Sequence, residues 1–247
     1  MSSVDPTAPD PSVISNIPTP QFARLPDPGQ LFSVREARFA ALAEGHDLAP
    51  YLKFLSGLCG VQAAIQGGLP EPDAIASEAL ERARQHGMPP LDRGHFTADA
   101  AFTATLDRLL AVAADIDMPG QARTALEKVT KADADGRARM VENVLAEAIP
   151  VEALAEHIFI AAALQVHFVR LAARLDAKSL QPVGDGVCPS CGGAPTATVL
   201  VNWPRTPGAR YCSCSLCGTL WNYVRSKCTL CGSTRKILFQ AIEGAGN

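Results

Sequence analysis

The sequence predicts a mainly α N-terminal domain followed by a small β-rich segment stapled by cysteines, and three observations predict it. Apolar residues recur at three- and four-residue spacing through an Ala-rich stretch that ends near residue 180. Seven of the eight cysteines (Cys188, Cys191, Cys212, Cys214, Cys217, Cys228 and Cys231) fall within the 44 residues from 188 to 231. Charge divides at the same place: residues 1–179 carry 16 Lys/Arg against 23 Asp/Glu, whereas residues 180–247 carry 6 against 2. A 247-residue chain that is 47% hydrophobic and 19% charged can bury a real core, which excludes disorder throughout. Its net charge of −3 excludes an overall polycation.

Residues 1–30 hold seven prolines (6, 9, 11, 18, 20, 26 and 28), so this arm is expected to be extended, without regular helix or a paired strand. Ser33-Val34-Arg35-Glu36 reads as a capping box that starts the first helix, which ends near Gly45. Pro50 opens a second helix whose stripe is Phe54, Leu55, Leu58, Cys59 and Ile65, stopped by Gly67-Gly68. The same logic places helices at about 73–86, 97–114, 119–131, 134–148 and 152–175 and bounds a helical domain at 31–180. The last helix is apolar around most of its circumference, which makes it the centre of the bundle. Its most apolar stretch, 157–169, is too short to span a bilayer, so no membrane insertion is expected. The first 23 residues lack Lys, Arg and any apolar run, so a secretory signal is not expected either and a reducing cytoplasm is the predicted compartment. After Gly184-Asp185-Gly186, residues 185–247 read as short strands at Thr196–Trp203, Arg210–Cys212, Leu220–Arg225 and Lys236–Ile242, with a turn over 204–209.

Three cysteine pairs share one form: Cys188-Pro-Ser-Cys191-Gly, Cys214-Ser-Leu-Cys217-Gly and Cys228-Thr-Leu-Cys231-Gly. Two residues between thiolates let one tight turn aim both sulfurs at one ion, and the glycine completes the turn. The 22 residues between Cys191 and Cys214 suit a β-hairpin, the zinc-ribbon or rubredoxin-like arrangement, so Cys188, Cys191, Cys214 and Cys217 form the preferred full site for iron or zinc. Cys228 and Cys231 are then half of a second, incomplete site. The other pairing, Cys214/Cys217 with Cys228/Cys231, spans only 10 residues and would orphan the first pair. Cys212 reads as structural, or else as an auxiliary ligand or redox thiol, and Cys59 as core.

His157 and His167 are ten residues apart on the central helix and read as buried, hydrogen-bonded histidines. His46, His86 and His95 fall near helix ends or in loops. No nucleophile, base and orienting group assemble, so no catalytic residues are assigned and no enzyme is expected. Arg205, Arg210, Arg225, Lys227, Arg235 and Lys236 lie among Trp203, Tyr211, Trp221 and Tyr223. They could form a partner-binding face, above all Arg210, Tyr211, Trp221 and Arg225, or a nucleic-acid surface, or the aromatics could pack the ribbon's small core. Nucleic acid is the disfavoured partner, and self-association is left open.

Several segments together resemble the formate dehydrogenase accessory proteins, the FdhE family. They are Leu25-Pro26 through Phe39, Leu42-Ala43-Glu44-Gly45-His46, Tyr51-Leu52-Lys53-Phe54-Leu55, Pro89-Pro90-Leu91-Asp92 and Ala161-Ala162-Ala163-Leu164-Gln165-Val166. The cysteine knuckles continue the match, with Arg210-Tyr211 before the second, and Trp221, Val224-Arg225 and Lys227-Cys228 complete it. The resemblance implies a cytoplasmic factor that contacts the catalytic subunit of formate dehydrogenase during assembly. It also implies two rubredoxin-like sites from four Cys-x-x-Cys pairs. This chain departs there, because it ends 16 residues after Cys231, ahead of where a fourth pair would stand. One full site is therefore expected, with the second lacking its other half. The rival readings are a rubredoxin-like electron-transfer protein and a nucleic-acid-binding zinc ribbon.

Overall fold

The computed structural model describes residues 19–204 and 206–235. In chain order the elements are β1 (Ala23–Arg24), α1 (Pro28–Ala43), α2 (Ala49–Ile65), α3 (Ser77–His86), α4 (Ala100–Ala113), α5 (Gly120–Lys131), α6 (Ala134–Leu145), α7 (Leu154–Ala172), β2 (Pro195–Trp203), β3 (Thr206–Cys214) and β4 (Leu220–Asn222). The helices form a bundle around α7, which packs on α1, α2, α4, α5 and α6. Its Phe159, Ile160, Leu164, Val166, Phe168 and Val169 are all fully buried, each contributing about 1.5–3 kcal/mol of hydrophobic stabilisation.

Local chemistry fixes the helix starts. Asp27, Asp99 and Asp133 each turn a carboxylate oxygen back to accept a backbone amide of the first turn, from Gly29, Phe102 and Gly136 at 2.9, 2.6 and 2.8 Å. The first of these corrects the capping-box expectation. Asp27 caps the helix and Pro28 occupies its first position, while the Ser33 hydroxyl, inside the helix, donates to the Gln30 carbonyl. Helix α3 begins four residues later than expected because the chain before it is held extended: Arg170 on α7 and Arg174, just past its end, donate to the carbonyls of Pro70 and Pro72.

The four strands form one antiparallel sheet in the order β1-β4-β3-β2. Its far edge corrects the second N-terminal expectation, because residues 21–24, free of proline between Pro20 and Pro26, do pair. Ala23 faces Trp221, Arg24 faces Leu220, and the Asn222 amide donates to the Phe22 carbonyl. Buried Tyr211 ties the same segment by donating its hydroxyl to the Gln21 carbonyl at 2.8 Å. Tyr211→Phe should cost about 1 kcal/mol, and faster tryptic cleavage after Arg24 would report it; unchanged cleavage would count against this tie.

Strand β3 starts at Thr206, inside the expected turn. Trp203 pairs with Thr206 and Asn202 with Pro207, and the register then shifts before Val201 pairs with Ala209. Gly208, at φ +72°, is the extra residue of that bulge, which is how a Pro-Gly pair is accommodated in a strand. Strand β4 is shorter than expected and ends at Asn222. The expected strand 236–242 lies outside the described residues.

The helical and ribbon parts share one core. Buried Cys188, Cys191, Cys212, Cys214, Cys217, Leu216 and Trp221 belong to the same apolar cluster as Phe32, Phe159 and Val169. The boundary expected near 180–185 therefore marks a change of texture rather than a break in packing. Segment Val151–Ala172, longer than the stretch weighed in the sequence, is the one among the described residues long and apolar enough to cross a membrane, but 67% of its apolar 18-residue stretch is buried inside the protein, the setting of a core helix.

Candidate metal centre

The first two knuckles come together at the foot of the β2–β3 hairpin. The sulfurs of Cys188, Cys191, Cys214 and Cys217 all lie within 4.8 Å of one another, and all four residues are buried. Cys188 Sγ stands 3.6 Å from Cys217 Sγ, and Cys191 Sγ 3.4 Å from Cys214 Sγ. Four sulfurs at about 2.3 Å from a zinc ion make a tetrahedron with edges of about 3.8 Å, so the cluster fits an S₄ site with little adjustment. Cys228 and Cys231 lie outside it.

Each knuckle is built by the same backbone pattern. The amide of the first cysteine donates to the carbonyl five residues on, and the glycine amide donates back to the first cysteine's carbonyl. Gly192, Gly218 and Gly232 close the turns at φ +80°, +72° and +67°, a conformation that side chains resist. The third knuckle has this geometry too, with partly buried Cys228 and exposed Cys231. It rests against the chain at Gly186, where a Cβ would collide with the Thr229 carbonyl oxygen.

The electrostatics of the cluster call for a cation. Burial pushes the Cys188 and Cys217 thiols up, while hydrogen bonds from Cys188, Cys191 and Cys217 hold Cys214 far down. Metal binds sulfurs of this kind as thiolates, with loss of the thiol protons. A divalent cation would replace those protons. Arg35, partly buried on α1, shares a cavity of about 400 Å³ with Ser213 and Ser215 on either side of Cys214 and is the nearby positive charge for an anionic thiolate set.

A hydroxyl pair links the two knuckles, and nothing in residue type or spacing signals it. Buried Thr219 donates to buried Ser190 at 2.9 Å, and the Cys217 sulfur lies 3.2 Å from the Thr219 hydroxyl. Thr219→Val keeps the shape but strands the Ser190 hydroxyl, at about 1–2 kcal/mol; a lowered unfolding midpoint with normal metal content is the expected result, and an unchanged midpoint would remove this role.

The first knuckle is also latched to the helical domain. Leu91 N donates to Ser190 O at 2.8 Å and Arg93 N to Cys191 O at 3.3 Å. Arg93 then reaches the C-terminal end of α6, donating to the Leu145 and Val144 carbonyls and to the Glu147 carboxylate. This is what the Pro89-Pro90-Leu91-Asp92 segment does.

The remaining candidates separate. Cys212 is buried on β3 outside the cluster, and burial pushes its thiol up to about 11. Cys59 is buried on α2 and likewise raised by burial. His157 is buried and hydrogen-bonded, to the Ala153 carbonyl and Asn143. His167 departs from expectation: it is buried, yet its Nδ1 has no hydrogen-bond partner.

The residues expected to bind a partner take different places in the sheet. Arg210, Tyr211 and Trp221 are buried, because each knits the sheet, and only Arg225 of the four is exposed. Arg210 donates to the Val224 and Lys227 carbonyls, Trp203 packs on Tyr211 with centroids 5.0 Å apart, and Arg24 lies 4.0 Å over the Trp203 ring. Lys227 pairs with Asp185. Arg24, Trp203, Tyr211 and Arg210 are thus engaged within the sheet, while Arg225 and Arg235 are exposed. Arg205 and Lys236 lie outside the described residues.

Comparison with known proteins follows the same division of the chain. Residues 20–185 match a family model described as FdhE, N-terminal, and residues 187–225 one described as FdhE, central domain. The chain is 44% identical over 241 residues to a Protein FdhE homolog of Rhizobium meliloti strain 1021, covering 98% of this chain and 79% of that protein. It is 33% identical over 230 residues to a Protein FdhE homolog of Stutzerimonas stutzeri, covering 92% and 74%. The crystal structure of the FdhE protein from Pseudomonas aeruginosa superposes with a TM-score of 0.77 at 30% identity, over 92% of this chain and 78% of that one.

Proposed function

The chain belongs to the FdhE family, and on that premise we propose that it is an accessory factor of formate dehydrogenase, a cytoplasmic maturation protein that binds the catalytic subunit and carries out no reaction of its own. The observation that carries this reading is the burial of four thiols in one closed cluster that shares its core with the helical bundle. Four protein sulfurs leave no open coordination position, the mark of a structural rather than a catalytic site. Iron or zinc there, held by Cys188, Cys191, Cys214 and Cys217, would fix the ribbon against α1, α7 and the 89–93 segment. Cys228 and Cys231 would supply two ligands of a second site.

The surface so fixed suits protein docking. Strand β2 is the sheet's outer edge, and Val199 and Leu200 on it are each 42% exposed. Val224 and Arg225 extend the exposed surface beyond β4. A long edge strand without charged side chains is ready to pair with another chain. The test is affinity capture: the tagged chain should retain the catalytic subunit of formate dehydrogenase, and Val199→Lys/Leu200→Lys should lose it while keeping its metal. Failure of the unaltered chain to capture the subunit at any stage of enzyme assembly would reject the reading.

A further inference from the structure

Where the foot of the β2–β3 hairpin meets α1, α2 and α7, a cavity of about 400 Å³ opens beside the first residues of β2, within the size range of small-ligand sites. Arg35 is the one charged side chain among its described lining residues, and exposed Thr196 and Ala197 bring it to the edge of the sheet. We propose that β2 takes the C-terminal tail of a partner protein as an antiparallel fifth strand, and that the tail's carboxylate ends on Arg35 in this cavity. The proposal deepens the docking role given to β2 above.

The cavity holds donors that the chain itself leaves unused. Arg35 is partly buried, yet among the described residues it makes no ion pair and donates no hydrogen bond. Its surroundings act on it through the Phe32 ring, 5.6 Å away, and through the fields of Cys59 and Cys214. Glu36, the next residue on α1, turns instead toward Gly60 on α2. Gln165 accepts from Gln62 at 3.0 Å with its carbonyl oxygen, which leaves its amide nitrogen as a further donor, and Ser213 adds a hydroxyl. No acidic side chain among the described residues lines the cavity. A carboxylate matches a planar guanidinium fork, because it offers two acceptors in one plane. Leu55 and Ile158 in the wall would take the apolar side chain beside that carboxylate.

The direction of β2 decides which end of a partner arrives there. Among the described residues no strand covers its outer edge, residues 196–200 are exposed, and no side chain from 195 to 203 is charged. The backbone groups along that edge are therefore open to pairing. Every pairing in this sheet is antiparallel. An antiparallel partner runs from Trp203 toward Pro195, so its C-terminus reaches the Thr196–Ala197 end, beside Arg35. A parallel partner would start there and set its ammonium against the same guanidinium. That cation thus selects both the direction of the strand and the end that is bound. Edge pairing supplies affinity, and capture of the terminal carboxylate supplies register.

The test measures the fluorescence anisotropy of N-terminally labelled Thr-Val-Thr-Val-Leu, as the free C-terminal acid and as the amide, on titration with the full chain, its metal content left as purified. The acid should bind about tenfold tighter than the amide, or more, as expected of a charge-assisted hydrogen-bonded pair in a part-buried site. Arg35→Gln should erase that preference while retaining metal, and Arg35→Lys should restore part of it. Val199→Lys/Leu200→Lys should weaken both peptides and leave their ratio unchanged. Four results would each overturn the proposal: equal binding of acid and amide, a preference that survives Arg35→Gln, no binding of the acid peptide, or its displacement by butyrate at matching concentration, the mark of a free small acid as occupant. Subunit capture is read separately. Equal acid and amide binding with capture retained would leave the docking role of β2 standing, and lost capture with the acid preference retained would do the reverse.

Discussion

Replacing Cys188 and Cys191 together by serine is expected to empty the metal centre and release the ribbon, the largest single effect the fold allows. Strands of nine, nine and three residues with a two-residue fourth cannot hold together on their own side chains, and structural thiolate sites supply on the order of 10 kcal/mol to small domains. The loss would expose Trp221 and free the packed Trp203, and these are the only tryptophans in the chain. Their emission should therefore shift to the red while most of the helical far-ultraviolet signal remains. Tryptic sites at Arg210 and Arg225 should open at the same time. Capture of the formate dehydrogenase subunit should fall with the metal. Bound metal with unshifted emission in the double variant would show that these thiols do not hold the ribbon.

Arg93→Ala should give the second large effect, because this residue joins the knuckle loop to the end of α6. Its side chain is 14% exposed and donates to two α6 carbonyls as well as Glu147. Truncation leaves those carbonyls without partners and opens space beside Gly193, where a Cβ would meet Arg93 Nη1 at 2.8 Å. A loss of about 2–4 kcal/mol follows from stranding part-buried groups of this kind. In a chain of this length that corresponds to a fall in unfolding midpoint of roughly 5–12 °C. Arg93→Lys should recover only part, since an ammonium cannot reproduce the planar fork that reaches several acceptors at once. A midpoint within a degree of the unaltered chain would show that the latch is dispensable.

Much of this arrangement is legible in the sequence because the signals are local. A Cys-x-x-Cys-Gly run encodes its own turn, and a 22-residue spacer with a hairpin inside brings the first two turns face to face. The seven helices among the described residues are readable from apolar spacing, and α7 from being apolar on every side. What escapes reading is contact between distant segments. The pairing of Ala23–Arg24 with β4 is made by backbone groups, which leave no mark on residue type. A capping box at Ser33 is a good local motif, but Asp27-Pro28 is a better one a turn and a half earlier, and sequence alone does not rank them. Tyr211, Trp221 and Arg210 have the composition of a docking face, yet in so thin a sheet the same side chains must serve as its core. Thr219, Ser190 and Arg93 have no periodicity or motif, and their roles emerge only where two knuckles and a helix end meet.

The central claim is that Cys188, Cys191, Cys214 and Cys217 clamp one ion and thereby fix the ribbon to the bundle. Elemental analysis of the anaerobically purified chain, set beside its tryptophan emission, tests it most directly. One tightly held zinc or iron per chain, released by a strong chelator together with a red shift, is the expected result. A chain without either element whose tryptophans are nonetheless buried would contradict it.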